Sequence, residues 1–139
     1  MKSNEIIITS ALRTAVGSLG KSLKDISADE LGSAVILNAF KNSKLKLDDV
    51  DEVIMGQVLT GGVGQNPARQ ASIKAGIPKE KPAYLVNQVC GSGIRSVVSG
   101  FQSLKAGDSK IIIAGGQENM SLAPHAVNIR NGKKLGDTE

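Results

Sequence analysis

An α/β domain built on a mostly parallel sheet is what this sequence predicts, on three observations. Short apolar runs alternate along the chain with stretches of helical periodicity, the pattern of strand–helix crossover units. The apolar runs are nearly continuous, as in strands buried on both faces. Gly, Pro and capping residues fall where strands and helices exchange. At 139 residues, 40% apolar and 22% charged, the chain is sized for one domain with one modest core.

The elements follow in order. "EIIIT", residues 5–9, is a short β-branched run and predicts a first strand. "ISADELGSAVILNAFKNSK" opens with a capping box, in which Ser27 caps and Glu30 reaches back; Leu31, Val35, Ala39 and Phe40 then recur at helical spacing. "DEVIMGQVL", 51–59, reads as the next strand and "GGVGQNP" as a loop. Pro67 suits the first turn of a helix over "PARQASIKAG", closed by Gly76. "AYLVNQVC" is a further strand. Ile94, Val97, Val98, Phe101 and Leu104 then mark an amphipathic helix ended by Gly107, and "KIIIAGG" is the last strand. After Gly116 no clear period continues.

Composition narrows the partners. The formal charge is +4, yet the seventeen Lys and Arg are scattered, apart from a small cluster in "RNGKKLG". Three aromatics, Phe40, Tyr84 and Phe101, give no stacking platform, so nucleic acid is not expected. A mild positive field equally suits an anionic metabolite. No apolar run approaches membrane-spanning length, and the three-residue run near the start is too short for a signal peptide; the expected address is cytoplasmic, with no membrane partner. One cysteine excludes an internal disulfide framework and fits a reducing compartment.

Two stretches invite a chemical reading. "AVGSLGKS", 15–22, fits a relaxed phosphate-loop pattern with Gly20, Lys21 and Ser22. A phosphate loop opens directly into a helix, whereas here the helix signal waits for Ser27, so a Gly-rich surface turn competes with a nucleotide binder. "GGVGQNP" misses the dinucleotide fingerprint because Pro67 takes the third Gly position. The second stretch is "LVNQVCGSGI", with the lone Cys90. A buried, inert thiol is the common fate of a free cysteine. Against it, Cys90 ends a strand, where ligands bind in open parallel sheets, and precedes a helix whose N-terminal amides favour a thiolate. Gly91 and Gly93 remove side-chain bulk from the turn, as around a nucleophile elbow. A helix N-terminus contributes only about 0.3–1 kcal/mol, too little to ionise a thiol fully at neutral pH, so an efficient nucleophile needs a neighbouring base, usually His. The single histidine, His125, lies beyond the last strand with nothing in the sequence to aim it at Cys90.

"VNQVCGSGIRSVVSGFQSLKAGDSKIIIAGGQENMSLAPH" resembles the nucleophile segment of the thiolases, and "ALRTAVGSLGKSLKD" and "GQVLTGGVGQNPARQASIKAGIP" extend the likeness over essentially the whole chain. The resemblance is to the N-terminal half, nearest the biosynthetic acetyl-CoA acetyltransferase branch. It implies a thiolase-type layered βαβα domain over residues 1–121, with 122–139 beginning the loop region that covers the CoA site. Cys90 matches the cysteine that accepts an acyl group from acyl-CoA, its backbone N–H serving as one oxyanion donor, and Gly91 and Gly93 match the turn that exposes the thiol. The resemblance implies acetyl-CoA and CoA as substrate and product, with no metal or redox cofactor. "GQNPARQ" matches a segment near the dimer interface, the strand carrying Cys90 pairs across a two-fold in family dimers, and "MSLAPH" and "RNGKKLGD" match the start of an excursion that aids tetramer formation.

Full-length thiolases are far longer. Their second half supplies a Gly-His motif that activates the nucleophile, an Asn-Glu-Ala-Phe motif that fixes an oxyanion-hole water, and a second cysteine for the Claisen step. None of the three occurs in residues 1–139, and His125 matches a different family position. Two expectations therefore stand together: acyl transfer to Cys90 followed by carbon–carbon bond formation or cleavage in the complete enzyme, or a catalytically incomplete subunit that dimerises or pairs with a separate C-terminal half. An exposed apolar face is expected in either case.

Overall fold

The computed structural model describes residues 5–41 and 43–128. Its centre is a three-stranded parallel sheet in the order β2–β1–β3, formed by β1 (Glu52–Gly56), β2 (Ala83–Val86) and β3 (Ile112–Gly116). β1 runs in the middle, with Val53 opposite Ala83 and Ile113, and Gly56 opposite Val86 and Gly116. All three strands therefore end together at one carboxyl edge. The amino edge is pinned by Asp51, whose carboxylate accepts the N–H groups of Lys110 (2.7 Å) and Ile111 (3.0 Å).

Period-two alternation sorts the strand residues between two helix layers. Val53, Met55, Ala83, Leu85 and Ile113 face the side covered by α1 (Ala28–Phe40) and α2 (Pro67–Lys74), where the core includes Ile36, Ala68, Ala71 and Ala75. Glu30 fixes the start of α1, its carboxylate accepting from the N–H and hydroxyl of Ser27 at 2.9 and 2.8 Å. Asn66 caps α2 by accepting from Arg69 N–H at 3.1 Å, with Pro67 at the first position. An Asp29–Lys74 ion pair joins the two helices.

The opposite face is covered by α3 (Ser92–Ala106), closed by Gly107 at φ 85°. The expected periodicity is present, but the apolar stripe does not face the sheet. Ser92, Ser96 and Gly100, spaced four apart, are the buried residues of α3. Ile94 and Phe101 stay 68% and 49% exposed. Close approach selects the small residues: a Cβ on Gly100 would lie 3.2 Å from Ile112, and one on Gly56 would lie 2.4 Å from the Ser92 carbonyl carbon. With the strand surface pressed so near the helix axis, bulky side chains are turned to the flanks.

A second departure concerns the start of the chain. The "EIIIT" run does not join the sheet; residues 5–9 adopt no regular element, and Ile7 and Ile8 are 73% and 77% exposed. Residues 6–14 instead form one wall of a cavity of about 800 Å³, faced by Val97, Phe101 and Leu104 of α3 and Ile112 of β3. β-Branched composition favours a strand only where a partner edge and a covering layer are both in place. Here the outer edge of β3 is unpaired among the described residues.

Candidate functional site

The carboxyl edge of the sheet gathers the polar chemistry. Each strand is followed by amide or acidic side chains: Gln57 after β1, Asn87 and Gln88 after β2, and Gln117, Glu118 and Asn119 after β3. Gln57 and Gln117 are buried. Gln117 Nε2 donates to Gln57 Oε1 (2.9 Å) and to the Pro67 carbonyl (3.1 Å), while Gln57 Nε2 donates to the Leu59 carbonyl (2.9 Å). Room for Gln117 comes from Gly32 of α1, where a Cβ would sit 2.0 Å from Gln117 Oε1. Asn119 Nδ2 reaches the carbonyls of Leu23 and Ile26, 3.0 and 2.6 Å away, so this edge also holds the turn before α1.

Cys90 sits on this edge, in the link between β2 and α3, and is exposed. Val89 before it has φ 51°. That is a strained conformation for a β-branched residue, and it turns the chain sharply out of the strand. The turn is stapled by Ser92: its hydroxyl accepts from Gln88 N–H (2.8 Å) and donates to the Val89 carbonyl (2.6 Å). Asn87 Oδ1 accepts the Val89 N–H at 3.0 Å. Among the described residues, no oxygen accepts the N–H of Cys90. Gly91 is the N-cap of α3 at φ −85°, and Gly93 is already the second residue of the helix. A Cβ on Gly91 would crowd the Gln88 carbonyl at 3.2 Å, whereas one on Gly93 meets nothing within 4 Å.

The other sequence candidates are not brought to this edge. Residues 15–18 adopt no regular element and 19–22 turn; α1 begins only at Ala28, and the Gly20 N–H donates to Ser121 Oγ at 2.9 Å. The surface-turn reading of "AVGSLGKS" therefore fits, because the loop does not open directly into a helix. His125 is exposed beyond a short 3₁₀ turn at Met120–Leu122, and among the described residues no hydrogen bond or ion pair links it to Cys90. The "RNGKKLGD" stretch lies outside the described residues. Cys90 is also not among the walls of the 800 Å³ cavity. Among the described residues, no group of His, Cys, Asp and Glu is placed to hold a metal ion.

The family model of the thiolase N-terminal domain matches residues 6–139. The chain belongs to the thiolase family. An acetyl-CoA acetyltransferase of Rhizobium meliloti (strain 1021) is 51% identical over 137 residues, which are 99% of this chain and 35% of that protein. One from Cupriavidus necator is 53% identical over 136 residues, 97% of this chain and 35% of the relative. The cytosolic acetyl-CoA acetyltransferase of Rattus norvegicus is 47% identical, over 97% of this chain and 34% of its own length. Among solved structures, the Acat5 thiolase from Ascaris suum in complex with coenzyme A superposes with a TM-score of 0.78 at 39% identity, over 81% of this chain and 29% of that one. The thiolase chain described here thus spans about a third of the length of the curated relatives it matches. No helix among its described residues is long and apolar enough to cross a membrane.

Cys90, Gly91 and Gly93 are legible in the sequence; Asn87 and Ser92, which bond the Gln88 and Val89 backbone beside Cys90, and Gln57, Gln117 and Glu118, which bond the other strand ends, are not singled out by it. The signal was present, since every strand of this thiolase domain passes from an apolar run directly into Gln or Asn. Amides at a buried sheet edge are sited there to satisfy backbone groups that the ladder no longer pairs.

Proposed function

We propose that this chain is the nucleophile-bearing part of an acetyl-CoA acetyltransferase, with Cys90 as its acyl acceptor. The observation that carries the reading is the exposed thiol on a strained turn at the carboxyl edge of a parallel sheet, in a chain about half identical to acetyl-CoA acetyltransferases. The Cys90 sulfur attacks the thioester carbonyl carbon of acetyl-CoA, and the carbonyl oxygen takes up the electron pair. The Cys90 N–H, which no oxygen accepts among the described residues, is one donor to that oxyanion. Collapse of the tetrahedral adduct breaks the carbon–sulfur bond to CoA, leaving acetyl-Cys90 and releasing CoA with the proton given up by the thiol. Carbon–carbon bond formation with a second acetyl-CoA, or the reverse cleavage, follows in the complete enzyme.

Gly91 and Gly93 leave the approach to the thiol uncluttered. Residues 1–121 act as the α/β domain and 122–139 begin the segment that covers the CoA. The base for the thiol belongs to the remaining two thirds of a thiolase. A second reading, a subunit that pairs with a separate C-terminal half or with its own copy, is favoured by the exposed apolar stripe of α3. Isotope exchange tests the first reading: labelled CoA should enter the acetyl-CoA pool when this chain is combined with a thiolase C-terminal portion, and Cys90→Ala should abolish it. A stable complex without exchange supports the second reading instead.

A further inference from the structure

We propose that Asn87 and Glu118 are positioning residues that aim the backbone N–H of Cys90, an inference that rests on Cys90 being the acyl acceptor. The three strand ends are linked in series toward the nucleophile. Beyond β3, the Glu118 carboxylate accepts the Val58 N–H at 2.7 Å and the Leu59 N–H at 3.3 Å. Beyond β1, the Val58 carbonyl accepts from Asn87 Nδ2 at 3.2 Å. Beyond β2, Asn87 Oδ1 accepts the Val89 N–H at 3.0 Å. The carboxylate is sixty residues from Val58 in sequence, so the link ties together parts of the chain that no local turn would hold.

What the series controls is one peptide plane. The Val89 carbonyl and the Cys90 N–H belong to the same trans peptide and point in opposite directions. With the carbonyl held by Ser92 Oγ at 2.6 Å and the Val89 N–H held by Asn87, the plane is fixed on both sides of a strained φ of 51°. The Cys90 N–H is thereby turned away from the α3 end and left without an acceptor among the described residues. Released from Asn87, Val89 relaxes toward ordinary φ and the donor swings off its line.

Two reagents separate aiming from mere folding, because Cys90 is the single cysteine. With p-nitrophenyl acetate, a carbon–sulfur bond forms, the ester carbon–oxygen bond breaks, p-nitrophenolate leaves, and the thiol proton goes to buffer; an oxyanion develops and needs the N–H. With iodoacetamide, sulfur displaces iodide and no oxyanion forms. The ratio of the two rate constants at Cys90 is measured for the unaltered chain, Asn87→Ala, Glu118→Ala and Glu118→Gln. The ratio should fall about tenfold in both alanine variants with helix content unchanged by circular dichroism, and Glu118→Gln, which keeps an acceptor for Val58, should stay within about threefold. An unchanged ratio in both alanine variants overturns the proposal. So does a joint fall of both rates with loss of helix, which assigns the side chains to the fold alone. Acetyl-CoA labelling of the same samples distinguishes the underlying reading: a ratio that behaves as stated with no acetylation by acetyl-CoA, even beside a thiolase C-terminal portion, removes acyl-CoA as the donor and leaves the aiming role standing.

Discussion

Ser92 shows how much one small side chain carries at this edge. Its hydroxyl is shared between the Gln88 N–H and the Val89 carbonyl, and the residue is 4% exposed. Ser92→Ala leaves two backbone groups without that partner, so unfolding in urea should show a loss of about 1–3 kcal/mol. Cys90 stays accessible in the variant. Gly32 makes the converse case, because it supplies space rather than bonds. A methyl group there would overlap Gln117 Oε1, 2.0 Å away, and Gly32→Ala should cost about 1–3 kcal/mol by overpacking despite its better helix propensity. A gain in stability would show that Gln117 relaxes freely, contrary to its buried bonds to Gln57 and Pro67.

At the scale of elements, the strand ends are where polar groups decide geometry. Asp51 joins the starts of β1 and β3, and the N–H groups of Lys110 and then Ile111 hold its carboxyl below the ordinary value of 3.8. A lowered folded value stabilises the protein above the unfolded pKa, and that contribution is lost as pH falls through the folded value. Asp51→Asn should therefore cost about 1 kcal/mol at neutral pH and progressively less as pH falls below the ordinary carboxylate value, read from urea titrations across that range. A second element-scale contact is the approach of β1 to α3 at Gly56. A Cβ there would lie 2.4–2.6 Å from the backbone of Ser92 and Gly93. Gly56→Ala should thus displace the first turn of α3, with a changed rate of Cys90 alkylation as the local readout.

Taken as a whole molecule, the structure leaves one flank uncovered. Ile94, Val97, Val98 and Phe101 of α3 are exposed, as are Ile7 and Ile8. Apolar surface of this kind seeks a partner. Sedimentation velocity should find the unaltered chain self-associating and a Val98→Lys, Ile94→Lys variant markedly less so; equal behaviour would mean that another surface drives association. The same flank explains what the residue pattern could and could not convey. Helices α1, α2 and α3 lie where periodicity, the Ser27–Glu30 box, Pro67 and Gly107 put them, while β1 and β2 stop at Gly56 and Val86, short of the apolar runs that mark them. The helix caps are local chemistry, satisfied within a few residues. Which face of α3 meets the sheet was not legible, because periodicity locates a stripe without saying what covers it. The small residues at 92, 96 and 100 were the better guide, since only they allow the strands so close. "EIIIT" likewise carries strand propensity, yet a strand needs a neighbour. Cys90 was legible because a Gly-rich turn leads from a strand into a helix there, although β2 ends at Val86 and not at Cys90 as its apolar run suggests. Asn87 and Glu118 were not, because their links span distant parts of the chain.

The central claim is that Cys90 accepts an acyl group from acyl-CoA, and mass mapping after incubation with acetyl-CoA tests it most directly. With a thiolase C-terminal portion present, the Cys90 peptide should gain one acetyl group, lose it on addition of CoA, and stay unmodified in Cys90→Ala. An unmodified Cys90 peptide in the complemented pair, or acetylation elsewhere that persists in Cys90→Ala, would contradict the account.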